Sequence, residues 1–319
     1  MSIRVLTDIG GTFARFVQFE DGAFVHTKKY EAAKFDTLED ALTQYCKNHD
    51  IDNKGEILIA TAAYEDSNDE WRFVNKNTWV ISAKSLKKAG WKLTAILNDF
   101  AASTWGLVDL GPLDLQVLHE GETSDRPQCL TGPGTGLGLG YLTKAGETFH
   151  VQRTHGGHMI ASPATEEQWL VMKTVQRQKD NNEVTVFEHL VSGPGLLNIY
   201  NAYSLICGKE PKIDRVEDIM TILNDRITMD SIRLFNEFLG LHARSAVITA
   251  HAYGGLTLTG GVLKRLNEQD LFDYGQFRKY FTIDGVASVT ADLEKTPINH
   301  FIGSHLAMRG LLNFTKYTS

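Results

Sequence analysis

Cysteine is scarce: Cys46, Cys129 and Cys207 are the only three in 319 residues, and they lie far apart. No C-x-x-C pair is formed, so zinc-ribbon and disulfide-framework readings fall away. Long basic stretches are missing and the net charge is −7. That excludes nucleic acid as the main partner, because a phosphate backbone demands clustered Lys and Arg. No apolar run approaches the roughly 20 residues needed to span a bilayer, which excludes a membrane span. The N-terminus enters a strand directly, without a signal peptide, so a reducing cytoplasm is the expected location. Two familiar nucleotide-binding signatures are also missing. There is no G-x-x-x-x-G-K-[ST], and the glycines of 132–138 fit G-x-G-x-x-G in no register, since the last required glycine is always Leu or Tyr.

What the chain does have is two strand-and-glycine units. The first is IRVLTDIGGTFAR, residues 3–15, an apolar strand that reaches Asp8 and breaks into Gly10-Gly11-Thr12. Glycines let a backbone turn tightly and bring its N–H groups up to an anion. Thr12 adds a hydroxyl donor, and Asp8 can hold Mg²⁺ directly or through water. A tight hairpin with no ligand would use the same glycines. The second unit is CLTGPGTGLGLG, residues 129–140, where a phosphate-gripping hairpin again competes with a plain turn. One early unit and one near the middle suggest two lobes that face one nucleotide.

Patterning places these units in an α/β chain. Strands are expected at 14–19, 23–30, 56–61, 79–81 and 93–97, with a helix after Asp36 carrying Leu38, Ala41, Leu42, Tyr45 and Cys46 on one face. Residues 62–77 read as irregular, and Ser82 as the cap of a helix ending at Gly90. The opening run of strands predicts a mixed sheet. A boundary falls at 106–112, and 119–128 reads as an exposed loop. Further helices are expected from the Thr165–Gln168 capping box to 179, at 216–223, from 230 to about 252, and at 304–314, the last packing back on the first lobe. Residues 179–183 read as a solvated loop and 256–259 as a strand. Apart from the two glycine units no internal repeat is visible.

Several further residues can carry chemistry. Asn98-Asp99 end an apolar strand just before a helix, the edge where α/β sheets bind ligands. Asp99 there can accept a hydroxyl proton or simply cap the helix. His155 and His158 lack companions for a metal set. One packed and one exposed histidine is expected, with a His donating to a ligand hydroxyl still open. Glu188 precedes Ser192-Gly-Pro-Gly, a helix start whose N–H groups could face a ligand. Gly260-Gly261 ends a strand and offers either a flat surface for a purine or a tight strand–helix turn.

Taken in order, Asp8-Ile-Gly-Gly-Thr-Phe-Ala-Arg15, Leu97-Asn-Asp-Phe-Ala-Ala102, Gly132-Pro-Gly-Thr-Gly-Leu-Gly138, Gly156-Gly-His158, Glu188 with Ser192-Gly-Pro-Gly-Leu196, and Leu258-Thr-Gly-Gly-Val262 resemble the bacterial glucokinase family of the hexokinase, actin and heat-shock-chaperone ATPase superfamily. Asn77-Thr78-Trp79 also resembles the segment before that family's sugar site. The resemblance runs from residue 3 to about 310. It implies a two-lobed actin-like (ribonuclease H-like) fold with a ligand cleft between lobes. Residues 1–106, completed by a C-terminal helix at 303–319, would be the small domain and 107–302 the large one. It implies ATP with Mg²⁺, a sugar substrate and a homodimer. Asp99 would be the general base, and Asn77, Asn98, Asp99 itself, His155, His158 and Glu188 would line the sugar. Gly10, Gly11, Thr12, Thr135 and Gly136 would hold phosphates, Asp8 would face Mg²⁺, and Gly260 and Gly261 would border the adenosine.

Two departures from that family fall on the sugar side. His155 stands where the family has Glu, and the loop 62–69 lacks the family's Pro and Gly. Three readings follow: a glucose kinase, a same-fold kinase for another hexose or polyol, and a non-catalytic sugar-binding regulator. The last is disfavoured by the presence of Asp99 and both glycine units and by the lack of a helix-turn-helix extension. The C-x-C zinc site of a related kinase group is not matched.

Overall fold

Alternation along the first strand sets the two faces of the N-terminal sheet. In β1 (Arg4–Ile9), Val5 and Ile9 enter one core, while Leu6 enters another on the opposite face. Asp8 therefore shares the Leu6 face. The computed structural model describes residues 4–51, 55–73, 77–178, 184–283 and 285–318. The chain divides into two compact units, 1–110 with 304–319, and 111–303.

In the first unit, β1 pairs antiparallel with β2 (Phe13–Glu20), which pairs with β3 (Ala23–Glu31). Helix α1 (Leu38–Asn48) covers the Val5 face with Leu38, Leu42 and Tyr45. Its cap is Thr37 and not Asp36 as expected. The Thr37 hydroxyl accepts the Asp40 N–H at 3.1 Å and donates to the Asp40 carboxylate at 2.7 Å, a pairing that Asp36 cannot make one residue earlier. β4 (Glu56–Thr61) runs parallel to β1.

The stretch expected to be irregular instead forms β5 (Tyr64–Glu65) and β6 (Glu70–Arg72), a hairpin that adds β7 (Val80–Ser82) to make a small antiparallel sheet. Asp66 makes the turn without Gly or Pro. Its carboxylate accepts the N–H groups of Asn68 (2.8 Å) and Glu70 (3.2 Å) and the Arg72 Nε (2.8 Å), the side-chain mimicry by which Asp replaces backbone turn contacts. Helix α2 (Ala83–Lys88) follows, and Gly90 after it has φ +90°. Ser82 holds the cap position of α2 but its side chain makes no cap bond. β8 (Lys92–Asn98) pairs parallel with β4, completing the order β3-β2-β1-β4-β8.

The Leu6 face is closed by α3 (Asp99–Trp105) and by the C-terminal helix Leu306–Thr318, whose Met308 and Leu311 join Leu6, Val17 and Leu58. The two helices touch backbone to backbone. A Cβ on Gly310 would overlap the Ala102 carbonyl, and Asn313 Nδ2 donates to the Trp105 carbonyl at 3.1 Å and to Asp109 at 3.0 Å. Gly310→Ala is expected to lower stability by about 1–3 kcal/mol through overpacking. Urea denaturation reads this, and an unchanged midpoint would contradict the close docking.

In the second unit the sheet contains β9 (Leu115–His119), β10 (Gln128–Pro133), β11 (Leu137–Ala145) and β12 (Thr148–Arg153). Helices α4 (Glu166–Gln178), α5 (Gly193–Ile206), α6 (Val216–Ile219) and α7 (Arg226–Thr249) come next. Then follow β13 (Gly255–Leu258), α8 (Gly261–Glu268), α9 (Tyr274–Phe281), α10 (Ala287–Lys295) and β14 (Ile298–Phe301). The expected helix at 216–223 is confined to α6, and the loop expected at 179–183 lies outside the described residues. The sheet order is β12-β11-β10-β13-β14-β9. Its first five strands repeat the pattern of the N-terminal sheet: three antiparallel strands, then two added parallel to the first of them in the chain. The two glycine turns thus occupy the same topological position, β1–β2 in one unit and β10–β11 in the other. This internal duplication is not visible in the sequence. Among the described residues no helix is long and apolar enough to cross a membrane.

Candidate active site

In the first unit the parallel strands β1, β4 and β8 end at one edge. Register places Asp8 beside Ala60 and Ala60 beside Leu97. Asp99 lies just past Leu97, so it is two strand spacings across from Asp8, roughly 10 Å. The tip of β8 is an Asn-Asp pair with divided labour. Asn98 caps α3, its Oδ1 accepting from Phe100 N (3.2 Å) and Ala101 N (3.1 Å). Asp99 is the first helical residue, and its Oδ1 accepts from Asn98 Nδ2 (3.0 Å) and Phe100 N (2.8 Å). Capping, left open for Asp99, falls to Asn98, and Asp99 is left as an oriented, half-buried carboxylate.

Asp8 faces the same side of the sheet as Arg15, its partner across the β1–β2 hairpin, and the two form a 3.5 Å ion pair. Burial pushes the Asp8 carboxyl up to about 6; the Arg15 charge opposes that shift and the Asp99 charge adds to it. The turn beyond is held rigidly. Gly10 N donates to the Phe13 carbonyl (2.9 Å), and the Thr12 carbonyl accepts from Ala32 N (2.9 Å). Asn77 fixes it from below, with Nδ2 donating to the Gly10 carbonyl (2.9 Å) and Oδ1 accepting from Trp79 N (3.0 Å). Asn77 is 4% exposed. Each end of its amide makes a bond to the backbone, and through those bonds it positions the glycine turn. Thr12 at the tip is exposed.

In the second unit the β10–β11 turn, Gly134–Gly136, is the focus. Gly134 N donates to the Gly136 carbonyl at 2.8 Å, and Thr135 projects at the exposed tip. Gly193 N, at the start of α5, donates to the Gly134 carbonyl (2.8 Å), while Ser192 Oγ accepts from Gly195 N (2.9 Å). With Pro194 lacking an N–H, that helix start has its donors committed to protein, which corrects the expectation that they face a ligand. Gly260 has φ +103°, and a Cβ there would overlap the Pro133 carbonyl, whereas Gly261 opens on free space. Gly260 therefore lies directly against the strand that leads into the turn.

Glu188 and the histidine turn converge on the same place. The Glu188 carboxylate accepts the Leu137 N–H at 2.8 Å. The short turn Gly156–His158 packs on β11 so closely that a Cβ on Gly157 would overlap the Leu137 carbonyl. His155 and His158 are both exposed, their ring centroids 6.4 Å apart. The expected packed-and-exposed pair is not found. Both imidazoles stand free because it is the glycines between them, not the rings, that fill the space over β11.

Sequence reasoning missed Arg15, the Leu137 N–H, and the Asp66–Arg72 pair of the hairpin. Arg15 was legible in the β1–β2 register once the turn at Gly10–Thr12 was accepted. The other two depend on contacts 51 and 6 residues apart in the chain, and no local pattern marks them.

The sequence profile of the Glucokinase family matches residues 5–317. The chain belongs to the glucokinase family. A glucokinase of Nitrobacter hamburgensis is 30% identical over 88% of this chain and 90% of its own length. A bifunctional protein of Burkholderia pseudomallei (strain 1710b) is 31% identical over 88% of this chain but only 44% of its own length, so the chain spans less than half of that relative. Among solved structures, a glucokinase from an Antarctic psychrotroph superposes with a TM-score of 0.82, covering 98% of both chains at 22% identity. The fold of this glucokinase-family chain is the two-lobed α/β fold of the actin-like ATPases. Its duplicated sheets, each with a glycine turn after the first strand, are the physical expression of that fold.

Proposed function

We propose that this protein transfers the γ-phosphoryl group of ATP to a sugar hydroxyl, with glucose as the acceptor and glucose 6-phosphate as the product. One observation carries the reading. Asp99 is held by two donors at the strand edge that also carries Asp8 and the Gly10–Thr12 turn. That arrangement supports reading Asp99 as a proton acceptor beside a phosphate cradle. Phosphoryl transfer asks for little else: alignment, charge stabilisation, and one carboxylate to receive the hydroxyl proton.

The chain's own residues divide the work as follows. Asp99 takes the 6-hydroxyl proton as that oxygen attacks phosphorus, and Asn98 Nδ2 and Phe100 N keep its carboxylate aimed. Asn98, His155, His158 and Glu188 meet the other sugar hydroxyls. The backbone N–H groups of Gly11, Thr12, Thr135 and Gly136 have no protein acceptor among the described residues, and they receive the phosphate oxygens. Gly260 and Gly261 lie along the adenosine. Asn77 keeps the first cradle in shape.

Mg²⁺ fits this arrangement in a limited way. Among the described residues no group of three or more His, Cys, Asp or Glu is assembled for a metal, but a magnesium ion carried by ATP needs only one or two protein carboxylates and keeps several waters. Asp8 suits that role, because burial disfavours its bare charge, the Asp99 charge two strands away adds to that, and its ion-pair partner among the described residues is Arg15 at 3.5 Å. The ion would neutralise charge on the β- and γ-phosphates.

A second acceptor class is favoured by one feature: His155 is an exposed imidazole where the resembling family has a carboxylate. A panel of sugars and polyols with ATP, read as ADP release, tests both readings. Glucose is expected among the best acceptors. Strong turnover of another acceptor with negligible turnover of glucose would move the substrate, and no ADP release with any acceptor would remove the kinase. A cytoplasmic homodimer is part of the same reading, and light scattering of the purified protein tests the dimer.

A further inference from the structure

Glu188 does two things at once in the second unit, and the geometry joins them. Its Oε2 accepts the Leu137 N–H at 2.8 Å, at the end of the β10–β11 turn. Its Oε1 takes no hydrogen bond among the described residues. The close approach depends on Gly136, where a Cβ would stand 2.6 Å from Oε2. Five residues on, Gly193 N grips the other end of the turn through the Gly134 carbonyl at 2.8 Å. The two grips are tied together, because Ser192 Oγ donates to the Glu188 carbonyl at 2.8 Å. Segment 188–193 therefore clamps the turn at its first residue and just past its last.

We propose that Glu188 is a coupling residue: one carboxylate oxygen positions the phosphate-binding turn while the other binds the acceptor, so that acceptor and nucleotide bind cooperatively. This rests on the kinase reading above and adds a property to it. A carboxylate ordered by a sugar hydroxyl holds the Leu137 N–H more firmly, which fixes the turn that must receive the phosphates. The converse holds by linkage, since each ligand must change the other's affinity by the same factor.

The test uses the whole protein, with glucose and the non-hydrolysable analogue AMP-PNP with Mg²⁺ as probes, and calorimetry to measure each affinity with and without the other ligand. The wild type is expected to bind AMP-PNP about 5-fold or more tightly in glucose, within the usual range of coupling. In Gly136→Ala the new methyl pushes the flexible carboxylate off the Leu137 N–H, and the factor falls below about 2-fold. Glu188→Gln keeps the shape but loses the charge-assisted bond, and its factor falls likewise. A purely structural role would weaken both ligands and leave the ratio intact. A wild-type factor near unity, or a factor unchanged in either folded variant, overturns the coupling. Phosphorylation that persists in such a case leaves the kinase reading standing, whereas absence of phosphorylation with every acceptor removes both.

Discussion

Asp99→Asn is expected to lower kcat by about 10²–10⁴, the usual contribution of a positioned general base, with the KM for glucose and the melting temperature little changed. The substitution is chosen for what it preserves. An asparagine carbonyl at this position can still accept from Asn98 Nδ2 and Phe100 N, the two donors that now hold the carboxylate at 3.0 and 2.8 Å. The cap of α3 is untouched because Asn98 supplies it. What is lost is the capacity to take a proton. Loss of kcat with KM retained is the pattern of an interaction made in the transition state. Steady-state kinetics with an ADP-coupled assay reads this. Activity within about threefold of wild type, well under the general-base range, would show that the proton goes elsewhere.

The second large effect is on stability, and it comes from a residue outside the site. His242 is fully buried in α7, with its ring edge-on to Phe187. The Thr131 hydroxyl spends its one hydrogen on the Gly138 carbonyl at 2.8 Å. His242 Nε2, 3.0 Å from that same oxygen, must therefore be the donor. Nδ1 is then a bare acceptor with no partner among the described residues, and a proton added there would be a buried charge with none of them to receive its hydrogen bond. Burial pushes the His242 pKa down to about 3.

The sign follows from proton counting. Between about pH 6.5 and 3 the unfolded chain carries a proton on this histidine and the folded chain does not, so stability is fully present above 6.5 and is lost as pH falls. From pH 6.5 to 5 the loss is about 2 kcal/mol. Asp8 works in the opposite sense. Its folded pKa is raised from 3.8 to about 6, so the folded state takes up a proton first, and this group contributes stability as pH falls through that window. His49, His300 and His305 are all lowered, chiefly by burial, and act with His242.

Because these groups overlap, the decisive quantity is a difference. Gln at position 242 can still donate to Thr131 but has no proton to gain. In urea denaturation at pH 7 and pH 5, the stability lost by the wild type should exceed that lost by His242→Gln by about 2 kcal/mol. Equal losses in the two proteins would contradict the buried neutral imidazole.

β1, β8 and β10 are short runs that end in or lead into Gly or Asx residues, which made the glycine turns and Asp99 at a strand tip legible. The C-terminal helix was legible from its apolar faces. Where two neighbouring residues could do one job, the sequence did not choose between them. Asp36 and Thr37 are both good caps, as are Asn98 and Asp99, and only the register of each helix decides. Asn77 reads as a polar residue next to a sugar site, and its brace under the turn, with a backbone bond at each end of its amide, carries no local signal. β9, β12 and β14 are only four to six residues long, too short for the alternation seen in β12 and β14 to mark them off from loop, and the sheet itself supplies their pairing. The Glu188–Leu137 bond is beyond any sequence window, since it joins residues 51 apart and depends on the neighbouring Gly136 having no side chain.

The central claim is that two backbone turns hold a triphosphate. Amide hydrogen exchange, followed by mass spectrometry with and without AMP-PNP and Mg²⁺, tests it most directly. Protection is expected in the peptides covering Gly10–Thr12 and Gly134–Gly136 together. Nucleotide binding that protects other segments and leaves both turns exchanging as before would contradict the account.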